Sequence, residues 1–238
     1  MGHTDAVNCI RYSSDGEWIA TGSKDRTIKL WNKAGRLIYT YPRHKREIVD
    51  VVFSPEMKYI VTQSEQKIYL WTLNGEKVWE SEVKPPPPNS EVTTYSSPSF
   101  SKDGAHLLFA KDRSSATIYH IPTKQARTIV CDQSNNLKFS PDGQWVMSTK
   151  DGTIILYTKE GEIGVQFPAT DPKAPEIQSF EANFLDEFHI AVAYNYAHPD
   201  GIKGPEILHQ SGGFIRIFNI RGQEQETFGR VLKKRNDG

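Results

Sequence analysis

The feature that most restricts the fold is a short motif that returns five times along the chain. It reads YSSDG at 12–16, FSPEM at 53–57, FSKDG at 100–104, FSPDG at 139–143 and, degraded, FLDEF at 184–188. The leading aromatic residues stand 41, 47, 39 and 45 positions apart. A second column follows each motif in the same order: IKLW at 28–31, IYLW at 68–71, IYHI at 118–121, IILY at 154–157 and IRIF at 215–218. In four of the five units a glycine comes four residues later, at Gly35, Gly75, Gly161 and Gly222. Two independent columns in register mark an internal repeat.

Each unit divides into four short strands. The first ends in alternating apolar pairs such as Ile10/Tyr12 and Val51/Phe53, which period-two geometry puts on one sheet face. The SPDG-type segment makes a tight reversal: Pro presets φ, Asp bonds nearby backbone and Gly accepts a positive φ. A second apolar strand follows (Trp18–Thr21, Tyr59–Thr62, Leu107–Ala110, Trp145–Ser148, Ile190–Ala193), and the Ile-x-Leu-Trp column is the third. The fourth is more polar, as in Arg36–Tyr41 and Glu76–Ser81, which suits an outer edge that must not pair with other chains. Helical periodicity is absent. A period of about 40–45 residues with four strands is the arithmetic of a propeller blade, whose two apolar faces need a neighbour on each side.

On these residues the chain resembles the WD-repeat (WD40) β-propeller family, over residues 2 to 228. The first unit carries the likeness best, with Gly2-His3, TGSKD at 21–25, and Trp31 six residues after Asp25. The resemblance implies a hydrogen-bonded tetrad of His3, Thr21 or Ser23, Asp25 and Trp31 that stiffens the blade; spacing does not choose between Thr21 and Ser23. Unit two offers Arg43-His44 for Gly-His, Glu65 for the Asp, and Trp71. Unit four keeps Asp151 and has Tyr157, while units three and five lack the constellation and must rely on packing. The fold expected is all-β, a WD40-like propeller of five four-stranded antiparallel blades near 2–41, 42–81, 92–130, 134–167 and 176–228, with 229–238 a polar basic tail. The compact units also look similar to propeller regions of bacterial multidomain proteins.

Composition narrows the function. Lys plus Arg and Asp plus Glu are 29 each, so no general field draws nucleic acid or an anionic membrane. No apolar run approaches the roughly 18 residues of a membrane span, and the N-terminus does not read as a signal peptide. Two cysteines, Cys9 and Cys131, make no zinc cluster. A cytoplasmic protein with neither cofactor nor metal is expected.

In a propeller the turns between strands two and three, together with the links between blades, share the top face. That set holds the unusual segments: Arg26 and Arg113 in such turns, Arg43-His44-Lys45-Arg46 in the first link, Pro85–Pro88 in the second, and an insertion over 194–213 with Tyr194, Tyr196, His198, Ile207, Leu208 and His209. Loops on a rigid scaffold are where binding concentrates, and aromatic and arginine side chains anchor partners well. These residues are the expected surface for a protein or peptide partner. His198, Asp200 and His209 share one glycine-rich loop, with no fixed geometry for a metal.

The alternative is a glycosidase-like hydrolase with its site in the central channel. The innermost strands supply only Asp50 and Glu181 as candidate acids, and no nucleophile or phosphate-loop motif occurs. His120 is read into the core column of Leu30, Leu70, Leu156 and Ile217 as a satisfied, half-buried histidine. Five complete units leave no split blade to clasp the ends, so either five blades close by face contact or they form part of a larger, open ring. The second is the expectation, with further blades or domains of a longer chain as partners.

Overall fold

A computed structural model describes residues 2–84, 97–131, 137–169, 177–196 and 213–229. Each repeat unit forms one antiparallel sheet in simple sequence order. The first sheet holds β1 (Val7–Tyr12), β2 (Trp18–Ser23), β3 (Ile28–Asn32) and β4 (Leu37–Thr40). The second holds β5 (Ile48–Phe53), β6 (Tyr59–Ser64), β7 (Lys67–Thr72) and β8 (Lys77–Glu82). The third holds β9 (Ser99–Phe100), β10 (His106–Ala110), β11 (Ser115–His120) and β12 (Gln125–Val130). The fourth comprises β13 (Lys138–Phe139), β14 (Trp145–Lys150), β15 (Thr153–Thr158) and β16 (Ile163–Pro168). The fifth comprises β17 (Ile177–Phe184), β18 (His189–Tyr196), β19 (Gly213–Asn219) and β20 (Glu224–Gly229). No helix occurs among the described residues, hence none long and apolar enough to cross a membrane.

The repeated turn works through its serine as well as through Asp and Gly. Ser13 Oγ accepts the Trp18 amide at 2.9 Å and donates to Asp15, whose carboxylate also accepts the Glu17 amide at 3.0 Å. Ser101 and Ser140 repeat the pattern with Asp103 and Asp142. All three serines are buried, so each hydroxyl satisfies a backbone donor that the reversal would otherwise strand.

The core is divided among the blade interfaces. Four apolar clusters each join one sheet to the next: Tyr41 and Ile28 with Val51 and Trp71, Leu70 and Val83 with Phe109 and Tyr119, Ile118 and Ile129 with Val146 and Tyr157, and Phe167 and Leu156 with Ile190 and Phe218. This is why β2, β3 and their equivalents are apolar on both faces. Among the described residues no cluster joins the fifth sheet back to the first, and apolar side chains at both ends are exposed. The five-bladed array does not close.

The third sheet corrects one expectation. Pairing of Leu107 with Tyr119 and Leu108 with Ile118 matches that of Ile19 with Trp31 and Ala20 with Leu30. The tryptophan column therefore continues through Tyr119, not Ile121, and Ile118 rather than His120 stands with the leucines. His120 sits at the strand end opposite His106. The turn after it is one residue longer than in its sister units. Lys124 adopts the left-handed conformation there (φ 58°) that Gly35 and Gly75 adopt elsewhere.

The turn glycines before the fourth strands also lie against the preceding blade. A β-carbon on Gly75 would collide with the Tyr39 ring, and one on Gly222 would come within 2.6 Å of the Phe167 ring.

Candidate functional site

The histidine constellation of the first sheet is formed, and it uses Thr21. His3 Nδ1 donates to Asp25 Oδ2 at 2.9 Å, Thr21 Oγ1 donates to His3 Nε2 at 2.7 Å, and Trp31 Nε1 donates to Thr21 Oγ1 at 2.9 Å. This assignment, with neutral His3, gives every group a partner of the right kind. Ser23 braces the backbone instead, its hydroxyl donating to the Ala6 carbonyl at 2.8 Å and accepting the Asp25 amide at 3.0 Å. Burial opposes the charge on Asp25, but bonds from the Thr27 hydroxyl, the Thr4 and Thr27 amides and His3 outweigh it. They hold the carboxyl well below the usual carboxylate range. Each polar atom is occupied internally, which makes the cluster structural.

The second sheet keeps three of the four members. Trp71 Nε1 and His44 Nε2 both meet Thr62 Oγ1 at 3.0 Å, and His44 Nδ1 donates to the Pro42 carbonyl at 3.2 Å. Glu65, expected at the Asp position, is exposed. Burial pushes the His44 pKa down to about 4, against a weaker upward pull from the Pro42 carbonyl. His44 is therefore a buried, neutral part of the blade, unlike the exposed link residue expected, and its ring lines the groove described below. In the third and fifth sheets the threonine position is taken by Phe109 and Val192. In the fourth, Ser148 and Tyr157 instead donate to the Val130 carbonyl at 2.9 and 3.4 Å.

Around His44 the remaining basic residues of the first link are exposed. The His44 amide bonds the Arg26 carbonyl at 2.9 Å, which brings the β2–β3 turn and the link together. Arg26, Arg43, Lys45 and Arg46 are all exposed. Below the link lies a groove of about 530 Å³, floored by Tyr69 and Trp71 and edged by Arg43, Lys45, Lys67, Lys77 and Glu80. Glu80 pairs with both Lys67 (2.6 Å) and Lys77 (2.7 Å), leaving cations in excess. Lys67, Tyr69 and Lys77 belong to strands and show no loop signature, so the repeat pattern does not single them out.

The other expected contacts are not brought together here. Arg113 is exposed on the β10–β11 turn of the third sheet. Tyr194 is buried against the fourth sheet, its hydroxyl donating to the Ala169 carbonyl, because its place on β18 points into the blade interface. Tyr196 ends β18. His198, Asp200, Ile207, Leu208 and His209, like Pro85–Pro88, lie outside the described residues.

Of the two channel acids, Asp50 is buried in an ion pair with Arg11 at 2.8 Å. Glu181 is exposed on the fifth sheet, accepting from Asn183 at 3.3 Å. A second cavity, of about 350 Å³, opens where the third and fourth sheets meet, lined by His106, His120, Arg127 and Lys159 among others. The two imidazoles lie 4.5 Å apart, and His106 is held below its ordinary pKa by burial and then by His120.

Comparison with known proteins agrees with this architecture. The family model described as WD domain, G-beta repeat matches residues 1–32, 35–72 and 125–158. The chain is 49% identical over 65 residues to nuclear distribution protein nudF of Aspergillus terreus, covering 27% of the chain and 15% of that protein. It is 28% identical over 156 residues to transcription initiation factor TFIID subunit 5 of Caenorhabditis elegans, covering 63% and 23%. It is 25% identical over 130 residues to target of rapamycin complex subunit wat1 of Schizosaccharomyces pombe, covering 54% and 40%. The chain thus spans well under half the length of these relatives. All three are eukaryotic, so the likeness to bacterial propeller regions is not supported. The family matches identify WD40 repeats at residues 1–32, 35–72 and 125–158, and the first of these carries a complete His–Thr–Asp–Trp constellation.

Proposed function

We propose that this chain is a non-catalytic interaction scaffold that binds a protein or peptide partner on its top face. The observation that carries the reading is the exposed basic set Arg26, Arg43, Lys45 and Arg46 where the β2–β3 turn meets the first link, from which a groove runs past Lys67 and Glu80 down to Gly75 in the β7–β8 turn. Such a surface offers charge that steers and orients a partner. Two relatives are named as subunits of larger assemblies, which fits a scaffold role, and the internal hydrogen bonding of His3 and Asp25 gives catalysis no support. A cytoplasmic location, with no binding of nucleic acid or membrane, belongs to the same reading.

The test is cross-linking in cell extract with the wild-type chain and with Arg43→Glu/Lys45→Glu. Both residues are exposed, so the fold should survive. A partner that is cross-linked by the wild type, lost with this variant and kept with a control such as Lys159→Glu supports the reading. Identical partner sets for all three would sink it.

A further inference from the structure

The repeat allows each joint between sheets to be compared with its equivalents in the same molecule. At the first position of the second strands, the pairing register aligns Trp18, Tyr59, His106, Trp145 and His189. Trp18, Tyr59 and Trp145 each pack into the joint with the following sheet. An aliphatic residue of the turn before a fourth strand packs into the same joint: Leu73 with Trp18, Ile121 with Tyr59 and Ile220 with Trp145. The joint between the third and fourth sheets breaks this pattern. His106 stands at the aromatic position, and Lys159 at the aliphatic one, its amide bonding the Gln144 carbonyl as that of Leu73 bonds Lys58. A bulky apolar pair has given way to two polar side chains, and the cavity of about 350 Å³ opens between them.

His106 is 5% exposed, yet its Nδ1 has no hydrogen-bond partner among the described residues. The fifth sheet shows the usual solution: Asp186, three residues before His189, meets that histidine's Nδ1 at 2.9 Å. Asp103 has the same offset from His106, but its carboxylate accepts the Ser101 hydroxyl at 2.6 Å and the Ala105 amide at 3.0 Å. A buried ring nitrogen left open is costly unless a ligand supplies its partner.

The lining decides what fits. Arg127 faces Glu162 at 3.8 Å and Lys159 faces Asp103 at 4.0 Å, so opposed charges leave little net field for a free ion. Among the described residues no three metal-ligating side chains converge. The walls are planar or apolar: the His106 and His120 rings, tilted by 31°, with Arg127 and Ile118. His120 is braced by the Thr123 hydroxyl at 2.7 Å. Imidazole and guanidinium planes stack well on an aromatic ring.

We propose that this cleft receives a tryptophan or tyrosine side chain of a peptide partner, its ring taking the space that Trp18, Tyr59 and Trp145 fill in the other joints and its N–H or O–H donating to His106 Nδ1. The occupant follows from the sister joints, which close over a ring of this kind. The cleft is built on the β9–β10 and β15–β16 turns, opposite the turns and links that carry the basic surface, and is independent of it.

The experiment is fluorine NMR of fluorinated N-acetyltryptophanamide titrated with the full chain. Expected is saturable line broadening with the wild type. His106→Trp/Lys159→Leu, which reproduces the Trp18 and Leu73 pair, should weaken binding by about tenfold or more by filling the space. His106→Leu removes the nitrogen without filling the cleft and should weaken binding several-fold. Circular dichroism confirms the fold of each variant. Arg43→Glu/Lys45→Glu should bind the probe as the wild type does, which separates this cleft from the top face. No binding to the wild type, or binding unchanged in both cleft variants, would overturn the proposal. Binding of free fluoroindole with exclusion of the capped amino acid would overturn a peptide as the source of the ring.

Discussion

Trp71 donates its indole hydrogen to Thr62 at 3.0 Å, inside a blade whose histidine has no carboxylate behind it. The hydroxyl of Thr62 thus serves both Trp71 and His44, each of them buried. Thr62→Val keeps the shape and removes both bonds. It should cost about 2–3 kcal/mol, since two buried polar groups lose their partner. Thr62→Ser should cost less than about 1 kcal/mol. Urea unfolding of the two variants checks this; a loss in Thr62→Ser as large as or larger than that in Thr62→Val would show that the hydroxyl is not the dominant contribution.

Acid should weaken the same blade. The His44 pKa is lowered from 6.5 to about 4 by burial, among the nearby charges of Arg43, Lys45, Lys67, Lys77 and Glu80. As pH falls below 6.5 the unfolded chain takes up a proton that the folded chain refuses until about 4. Stability from this group is therefore complete at neutral pH and lost between those values, to about 3 kcal/mol at most. His44→Gln should flatten that part of the pH profile relative to wild type. Unchanged slopes would mean that other groups carry the acid sensitivity.

Lys124 occupies a left-handed conformation (φ 58°) on an exposed turn. Lys124→Gly removes the clash between Cβ and the following carbonyl, at some cost in unfolded-state entropy. A net gain of about 0.5–1 kcal/mol is expected. Thermal melts of the pair would show it, and a loss of stability would mean that the lysine side chain holds the turn.

Gly22 is needed for a close approach. A β-carbon there would collide with Ile48 and stand 2.6 Å from Cys9 Sγ. Both neighbours belong to the packed joint between the first two sheets. Gly22→Ala should destabilise by about 1–3 kcal/mol, read by chemical denaturation. Gly35→Ala is a comparison from an uncrowded turn, where the strain comes from backbone conformation alone.

Much of the fold is legible in the sequence because the governing signals are local and repeated. Alternation in the first strands, buried turn serines and paired apolar strands each follow from neighbours along the chain. The third unit misleads for a local reason as well: Lys124 stands in for a glycine, and the one-residue-longer turn shifts the apparent column, so His120 takes on the look of a core residue. The candidate site is less legible. Arg43 and Lys45 are visible as a basic link, but His44, between them, turns inward to Thr62. Tyr194 looks like part of a binding loop, yet strand alternation carries it to the buried side of β18. The groove floor of Tyr69 and Trp71 is written as ordinary β-strand, and nothing short of tertiary placement separates it from core.

The glycines that turn each chain segment toward its outer strand also report on the blade before them. Tyr39 fills the space over Gly75, and Phe167 the space over Gly222. A side chain introduced at such a turn would act on two repeats at once, its own and its predecessor. Repeats in this array are consequently poor candidates for exchange as independent cassettes. A transplanted unit must bring a vacancy that matches the aromatic ring waiting beside it, and damage at one turn should propagate toward the N-terminal neighbour before it reaches the next.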